Sequence, residues 1–154
     1  IRIGASGKIT SAFDMARVLA LGADWCNSAR GFMFAVGCIQ AQSCHTGECP
    51  TGVATQDPLR QRAIVVPDKA ERVASFQRNT LHALAELVAA AGLSHPSELK
   101  PHHFLRRASS DKVISLADQY EQLAPGQLAA DPKSSPRFAE AWTLSTAGSF
   151  ARAG

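Results

Sequence analysis

Cys38, Cys44 and Cys49 fall within twelve residues, with five and then four residues between them, and Pro50 follows the last. Thiolates this close in sequence can converge on one soft metal centre, and a proline after the final cysteine is common at iron–sulfur sites. A shared centre would tie the path of the whole segment to one point; the plainer reading is three unrelated cysteines in a loop. The chain of 154 residues has only one other cysteine, Cys26. Four cysteines without a secretory leader argue against a disulfide scaffold and favour metal binding or buried thiols. Structural zinc would want four protein ligands. His45 could be the fourth, but it adjoins Cys44, and neighbouring ligands rarely point at one ion comfortably. Three cysteines suit a cluster with one unligated corner. Cys26 lies on an expected strand, where a buried small residue is the simpler reading.

The apolar fraction of 45% is that of an ordinary globular protein, and the length suits one domain. No apolar run could span a bilayer, and no signal peptide opens the chain. Ile1-Arg2-Ile3-Gly4-Ala5 begins without methionine and already reads as strand interior, so residues upstream are expected. The location expected is cytoplasmic, with a membrane anchor in such an upstream segment left open. A net charge of +3, with no basic block interleaved with aromatics, gives nucleic-acid binding little support.

Ile1–Ala5 reads as a short buried strand and Ser6-Gly7-Lys8 as a turn. Thr10 or Ser11 can cap a helix over Ala12–Leu21, with Phe13, Ala16, Val18, Leu19 and Ala20 suited to packing on a sheet and Gly22 to closing it. Ala23–Cys26 reads as the next strand and Arg30–Gln42 as the next helix. Strand, glycine turn, helix, strand and helix at this spacing form a parallel β/α repeat, and two strands cannot bury both faces of a parallel sheet. The unit therefore reads as the end of a larger sheet or barrel. Beyond the cysteines, Asp68–Ala91 is the longest helical signal, with Asp68 as its N-cap and Gly92 closing it. Ser94–Leu99 and Val113–Leu123 suggest short helices, and Pro125–Pro136 reads as a linker.

In a parallel β/α barrel, ligands sit at the C-terminal ends of the strands, and a phosphate site often forms from the loops after the last two. Here those loops are Ser6-Gly7-Lys8 and Asn27-Ser28-Ala29-Arg30. Gly7 lets backbone amides approach an anion, Ser28, Ala29 and Arg30 stand at a helix start, and Lys8 and Arg30 add charge.

Gly22-Ala23-Asp24, Gly37-Cys38-Ile39, Cys44-His45-Thr46 and the run Cys49–Gln56 closely resemble the C-terminal end of the glutamate synthase central domain. Asp24–Gly31 together with Asp57-Pro58-Leu59-Arg60 resembles the stand-alone FMN-binding glutamate synthase-like proteins, and the likeness covers about residues 1–107. The resemblance implies an FMN-containing (β/α)8 TIM barrel whose last two strands are Ile1–Ala5 and Ala23–Cys26, followed by a mostly helical extension. With the composition of the later segments, the chain divides into a barrel end with the cysteine loop over residues 1–60, a helical extension over 61–124 and a linker-like tail over 125–154. The resemblance also implies a 3Fe-4S cluster on Cys38, Cys44 and Cys49, and places Ser6, Gly7, Lys8, Ser28, Ala29 and Arg30 at the FMN phosphate.

In that family electrons pass through the cluster to FMN, and the reduced flavin converts 2-iminoglutarate, formed from 2-oxoglutarate and ammonia, to glutamate. The nitrogen can be free ammonia or come from glutamine, and an electron donor such as ferredoxin or a reductase subunit is implied. The first six strands and an amidotransferase domain are absent from these residues, so the chain alone is expected to be inactive. Two other readings stay open: an iron–sulfur or zinc module without flavin, and a related flavin barrel of different substrate choice. No acid–base catalyst stands out. His102 and His103 read as surface or packing residues, Trp25 as core filling, and Asp57 with Arg60 as an ion pair holding the loop to the barrel.

Overall fold

The computed structural model describes residues 1–151 and is α/β. The chain forms two compact units, Ile1–Leu116 and Ala117–Gly154.

The first unit opens with strand β1, Gly4–Ser6, helix α1, Ala12–Ala20, strand β2, Trp25–Asn27, and helix α2, Arg30–Val36. β1 and β2 pair in parallel, with Gly4 opposite Trp25, Ala5 opposite Cys26 and Ser6 opposite Asn27. Both strands lie further along the chain than expected. Asp24 is the reason: its carboxylate accepts the Ile3 amide at 2.6 Å while its own amide donates to the Ile3 carbonyl at 2.8 Å. That clamp ends the approach to the ladder at Ile3, so pairing begins one residue later. Trp25, expected in the core, is 47% exposed, and its indole lies where a side chain at Gly4 would stand.

Ser11, rather than Thr10, caps α1. Its hydroxyl accepts the Asp14 amide at 3.2 Å and the Asp14 carboxylate accepts the Ser11 amide at 3.0 Å, a reciprocal capping box. Ala12, Ala16 and Ala20 form the buried stripe of α1. Helix α3, Pro58–Gln61, follows the cysteine loop, and the long helix α4, Val66–Ala90, packs on both α1 and α2. α4 starts two residues before the expected Asp68. Pro67 stands in its first turn, where the missing N–H costs nothing, and Asp68 lies inside that turn beside Lys69 at 3.3 Å. Leu84 and Val88 of α4 are buried, and two edge-to-face ring pairs, Phe32–Phe76 and Phe13–Phe104, join the elements at 5.1 and 5.5 Å.

One glycine device ends three helices. Gly22, Gly37 and Gly92 have φ of 107°, 125° and 75°, and the amide after each reaches back to Val18, Met33 and Val88 respectively at 2.9–3.2 Å. At α2 this stop overrides the expected continuation to Gln42 and makes Cys38 the first residue of the loop.

Past α4 come single 3-10 turns at Pro96–Glu98 and Pro101–His103 and an antiparallel hairpin, β3, Leu105–Arg107, with β4, Val113–Ser115. The helix expected over Val113–Leu123 is confined to α5, Leu116–Gln119, because β-branched Val113 and Ile114 take strand pairing instead.

Within the second unit, helix α6, Gln127–Ala130, a 3-10 turn at Pro132–Ser134 and helix α7, Pro136–Thr143, occupy the stretch read as linker-like. Pro132 and Pro136 stand in first turns and start helical segments there. The last three residues of that stretch, 152–154, lie outside the described residues. Among the described residues no helix is long and apolar enough to cross a membrane.

Candidate functional site

The parallel register of β1 and β2 sets Ser6 beside Asn27, so Ser6-Gly7-Lys8 and Ser28-Ala29-Arg30 leave the sheet at the same end. Gly7 has φ of 101° and Lys8 has φ of 54°, which turns the backbone sharply, and the space a side chain at Gly7 would fill is open. Ser6, Gly7, Lys8, Ala29 and Arg30 are exposed and Ser28 is half-buried. The Ser28 hydroxyl spends its single proton on the buried Ile9 carbonyl at 2.6 Å. An anion bound here would thus meet the backbone amides of these turns and the Lys8 and Arg30 charges, with Ser28 acting through its main chain.

α2 separates this corner from the cysteines. Its seven residues span about 10 Å at the usual rise, with Arg30 at one end and Cys38 just past the other.

The loop beyond α2 is irregular but heavily cross-braced. Gln40 takes a left-handed φ of 58° and thereby turns its amide onto Cys38 Sγ at 3.5 Å. Cys44 opens a 3-10 turn, Cys44–Thr46, that Gly47 closes. The Thr46 hydroxyl donates to the Ser43 carbonyl at 2.8 Å, and the Thr55 hydroxyl donates to the Gly47 carbonyl. Arg60 donates from Nη1 to the Glu48 carbonyl at 3.1 Å and pairs with Asp57 at 3.4 Å, while Asp57 caps α3 through the Leu59 amide at 2.8 Å. The Asp57–Arg60 pair forms, and Arg60 ties the loop to α3 rather than to the barrel strands.

Cys49 is 7% exposed, Cys38 is half-buried and Cys44 is exposed. The Thr51 hydroxyl lies 3.5 Å from Cys49 Sγ. That hydroxyl, with the amides of Ala54, Thr51 and Val53, holds the Cys49 thiol down to about 7 against the opposing effect of burial. Cys26 shows the contrast: burial pushes its thiol up, and it lines a cavity of about 100 Å³ with Phe32, Phe76 and Leu81. It is half-buried rather than fully buried, a small residue at the cavity wall.

The donor set therefore fits a thiolate-bound metal in its chemistry. Two of the three sulfurs already face a polar group two residues further on, the Gln40 amide and the Thr51 hydroxyl, each able to donate to a ligated sulfur. As the side chains stand, no group of three His, Cys, Asp or Glu among the described residues could hold a metal ion, His45 included. The structure brings the turns after β1 and β2 together and does not set the three cysteines up as a site for a single metal ion. Sequence reasoning missed Thr51, Gln40 and Asp24. The first two sit in a polar run with no periodicity, and their meaning depends on turns that only the folded loop defines.

A model of the conserved region in glutamate synthase matches residues 1–94. A glutamate synthase large subunit-like protein, YerD of Bacillus subtilis, is 42% identical over 122 residues, 79% of this chain and 23% of that protein. The archaeal glutamate synthase (NADPH) of Methanocaldococcus jannaschii is 36% identical over 100 residues, 65% of this chain and 20% of its own. The glutamate synthase (NADPH) large chain of Azospirillum brasilense is 27% identical over 133 residues, 82% of this chain and 9% of its own. No solved structure matches significantly. The chain spans less than a quarter of the length of these relatives. The family match covers the turns after β1 and β2, α2 and the whole cysteine loop, and on it the chain belongs to the glutamate synthase family.

Proposed function

We propose that this chain is the cofactor-bearing end of an iron–sulfur flavoprotein oxidoreductase that forms glutamate from 2-oxoglutarate and ammonia or glutamine-derived nitrogen. In this reading residues 1–60 end an FMN-binding (β/α)8 barrel with β1 and β2 as its last strands, 61–124 form a helical extension and 125–154 a tail. The remaining strands and the substrate contacts belong to the rest of a longer protein.

The observation that carries the reading is the one short helix, α2, joining an anion-binding corner to a loop of three cysteines. Ser6, Gly7, Ser28 and Ala29 offer main-chain amides to the FMN phosphate, and Lys8 and Arg30 offer charge. Cys38, Cys44 and Cys49 would hold the 3Fe-4S cluster, Cys49 from the buried side of the loop and Cys44 from its exposed side. When bound, the cluster supplies one-electron transfer and the flavin hydride transfer. The chain's own part would be to present the turn amides and the cysteine loop from opposite ends of α2 and to fix the charge around the sulfurs. Two relatives are named for NADPH, which supports a nicotinamide-linked reductase subunit as electron donor, with ferredoxin the other carrier in keeping with the cluster. The reading of a metal module without flavin has no comparable support.

The test uses the full-length protein. Heat denaturation should release FMN, and ammonia with 2-oxoglutarate should give glutamate at the expense of a reduced donor. A protein that carries no flavin would overturn the proposal.

A further inference from the structure

We propose that Thr51 is a positioning residue whose hydroxyl donates to Cys49 Sγ and thereby raises the reduction potential of a cluster held by Cys38, Cys44 and Cys49. The inference rests on the cluster reading above.

The hydroxyls of this loop divide into two kinds. Those of Ser43, Thr46 and Thr55 donate to the carbonyls of Glu48, Ser43 and Gly47, and so brace the backbone. Thr51 alone of these four faces a sulfur, at 3.5 Å. Its place is fixed by the turn that carries it. The Gly52 amide donates to the Cys49 carbonyl at 3.3 Å, and Gly52 has φ of 78°, with the Arg60 carbonyl occupying the place a Cβ would take. Cys49 is buried and Thr51 half-buried, so water does not compete freely for either group.

Direction follows from chemistry. A metal-bound sulfur carries no proton, so the hydroxyl can only donate to it. Reduction adds one negative charge to a centre whose sulfurs share it, and a hydrogen bond to a sulfur is stronger in the more negative state. Such bonds are among the known determinants of cluster potential. The neighbouring donors, the Gln40 amide at Cys38 and the Val53 and Ala54 amides at Cys49, are main-chain groups that side-chain substitution leaves in place. Thr51 is the donor that can be deleted cleanly.

The experiment compares full-length wild type, Thr51→Val and Thr51→Ser, prepared anaerobically. Iron and acid-labile sulfide are assayed, and the midpoint potential is read by EPR during a mediated dithionite titration. Thr51→Val should keep its iron and shift to a more negative potential, and Thr51→Ser should return to the wild-type value. A fully loaded Thr51→Val at the wild-type potential, or a Thr51→Ser shifted as far as Thr51→Val, overturns the proposal. If Thr51→Val loses iron, Thr51→Ala is titrated in its place, and a loaded Thr51→Ala at the wild-type potential overturns the proposal equally. Wild-type protein without iron or sulfide overturns the cluster reading itself, which separates that failure from this one.

Discussion

The Ser28 hydroxyl donates to the Ile9 carbonyl at 2.6 Å, tying the turn after β2 to the turn after β1 across nineteen residues of chain. Ile9 is 3% exposed, so its carbonyl has little access to water if the hydroxyl is removed. Leaving a buried acceptor unpaired costs about 1–3 kcal/mol. Ser28→Ala should therefore lower the thermal midpoint of the full-length protein and loosen flavin retention, while Ser28→Thr should restore much of both. An unchanged midpoint for Ser28→Ala would show that the tie is not holding the corner.

Asp14 accepts from the Thr10 and Ser11 amides and both hydroxyls, at 2.8–3.2 Å. Burial works to raise its carboxyl, but hydrogen bonds from Ser11 and Thr10 outweigh it and hold the group below the usual carboxylate range. A folded-state value below the unfolded one means stability that is fully present above about pH 4 and is lost as pH falls through the folded value. Ser11→Ala should cost about 1 kcal/mol near neutrality and flatten the acid limb of a stability profile, since Asp14 loses the Ser11 hydroxyl while the main-chain donors stay. An acid limb as steep as wild type would contradict this.

Gly31 sits in α2 where a Cβ would meet the Phe76 ring at 2.7 Å. Helix propensity alone favours alanine there by about 1 kcal/mol, whereas overpacking a tight contact costs about 1–3 kcal/mol. The second effect wins, because Phe76 is already locked edge-on against Phe32 at 5.1 Å. Gly31→Ala should destabilise, and Gly31→Ala combined with Phe76→Leu should recover part of the loss. A stabilised Gly31→Ala would mean that α2 and α4 are less closely packed than the structure has them.

Gly52 holds φ of 78°, and a Cβ there would run into the Arg60 carbonyl. A left-handed backbone costs an L-residue about 1–2 kcal/mol, and the clash with main chain adds to it. Gly52→Ala should displace the Cys49 turn from α3, seen as loss of bound iron with little change in helical circular dichroism. Full iron retention would show that the turn is not what positions Cys49.

The parallel pair, α1, α4 and the Asp57–Arg60 brace were legible because each rests on local chemistry: apolar periodicity, caps and charges a few residues apart. The stop at Gly37 was hidden inside an apolar run, where Ile39 seemed to prolong the periodicity and a glycine reads as tolerable. The hairpin of β3 and β4 was hidden because Val113 and Ile114 can join either a strand or a helix, and only pairing with Arg107 and Arg106 decides. The three cysteines were conspicuous by spacing, but the roles of Thr51 and Gln40 beside them depend on left-handed turns at Gly52 and Gln40 that no pattern of residue types reveals.

The account stands most directly on the metal. Iron, acid-labile sulfide and zinc should be measured on anaerobically prepared full-length protein, with an EPR spectrum of the oxidised form, for wild type and Cys44→Ser. Wild type should show iron and sulfide in the ratio of a three-iron cluster with its EPR signal, and Cys44→Ser should lose both without unfolding. Zinc without sulfide in wild type, or an undiminished iron signal in Cys44→Ser, would contradict it.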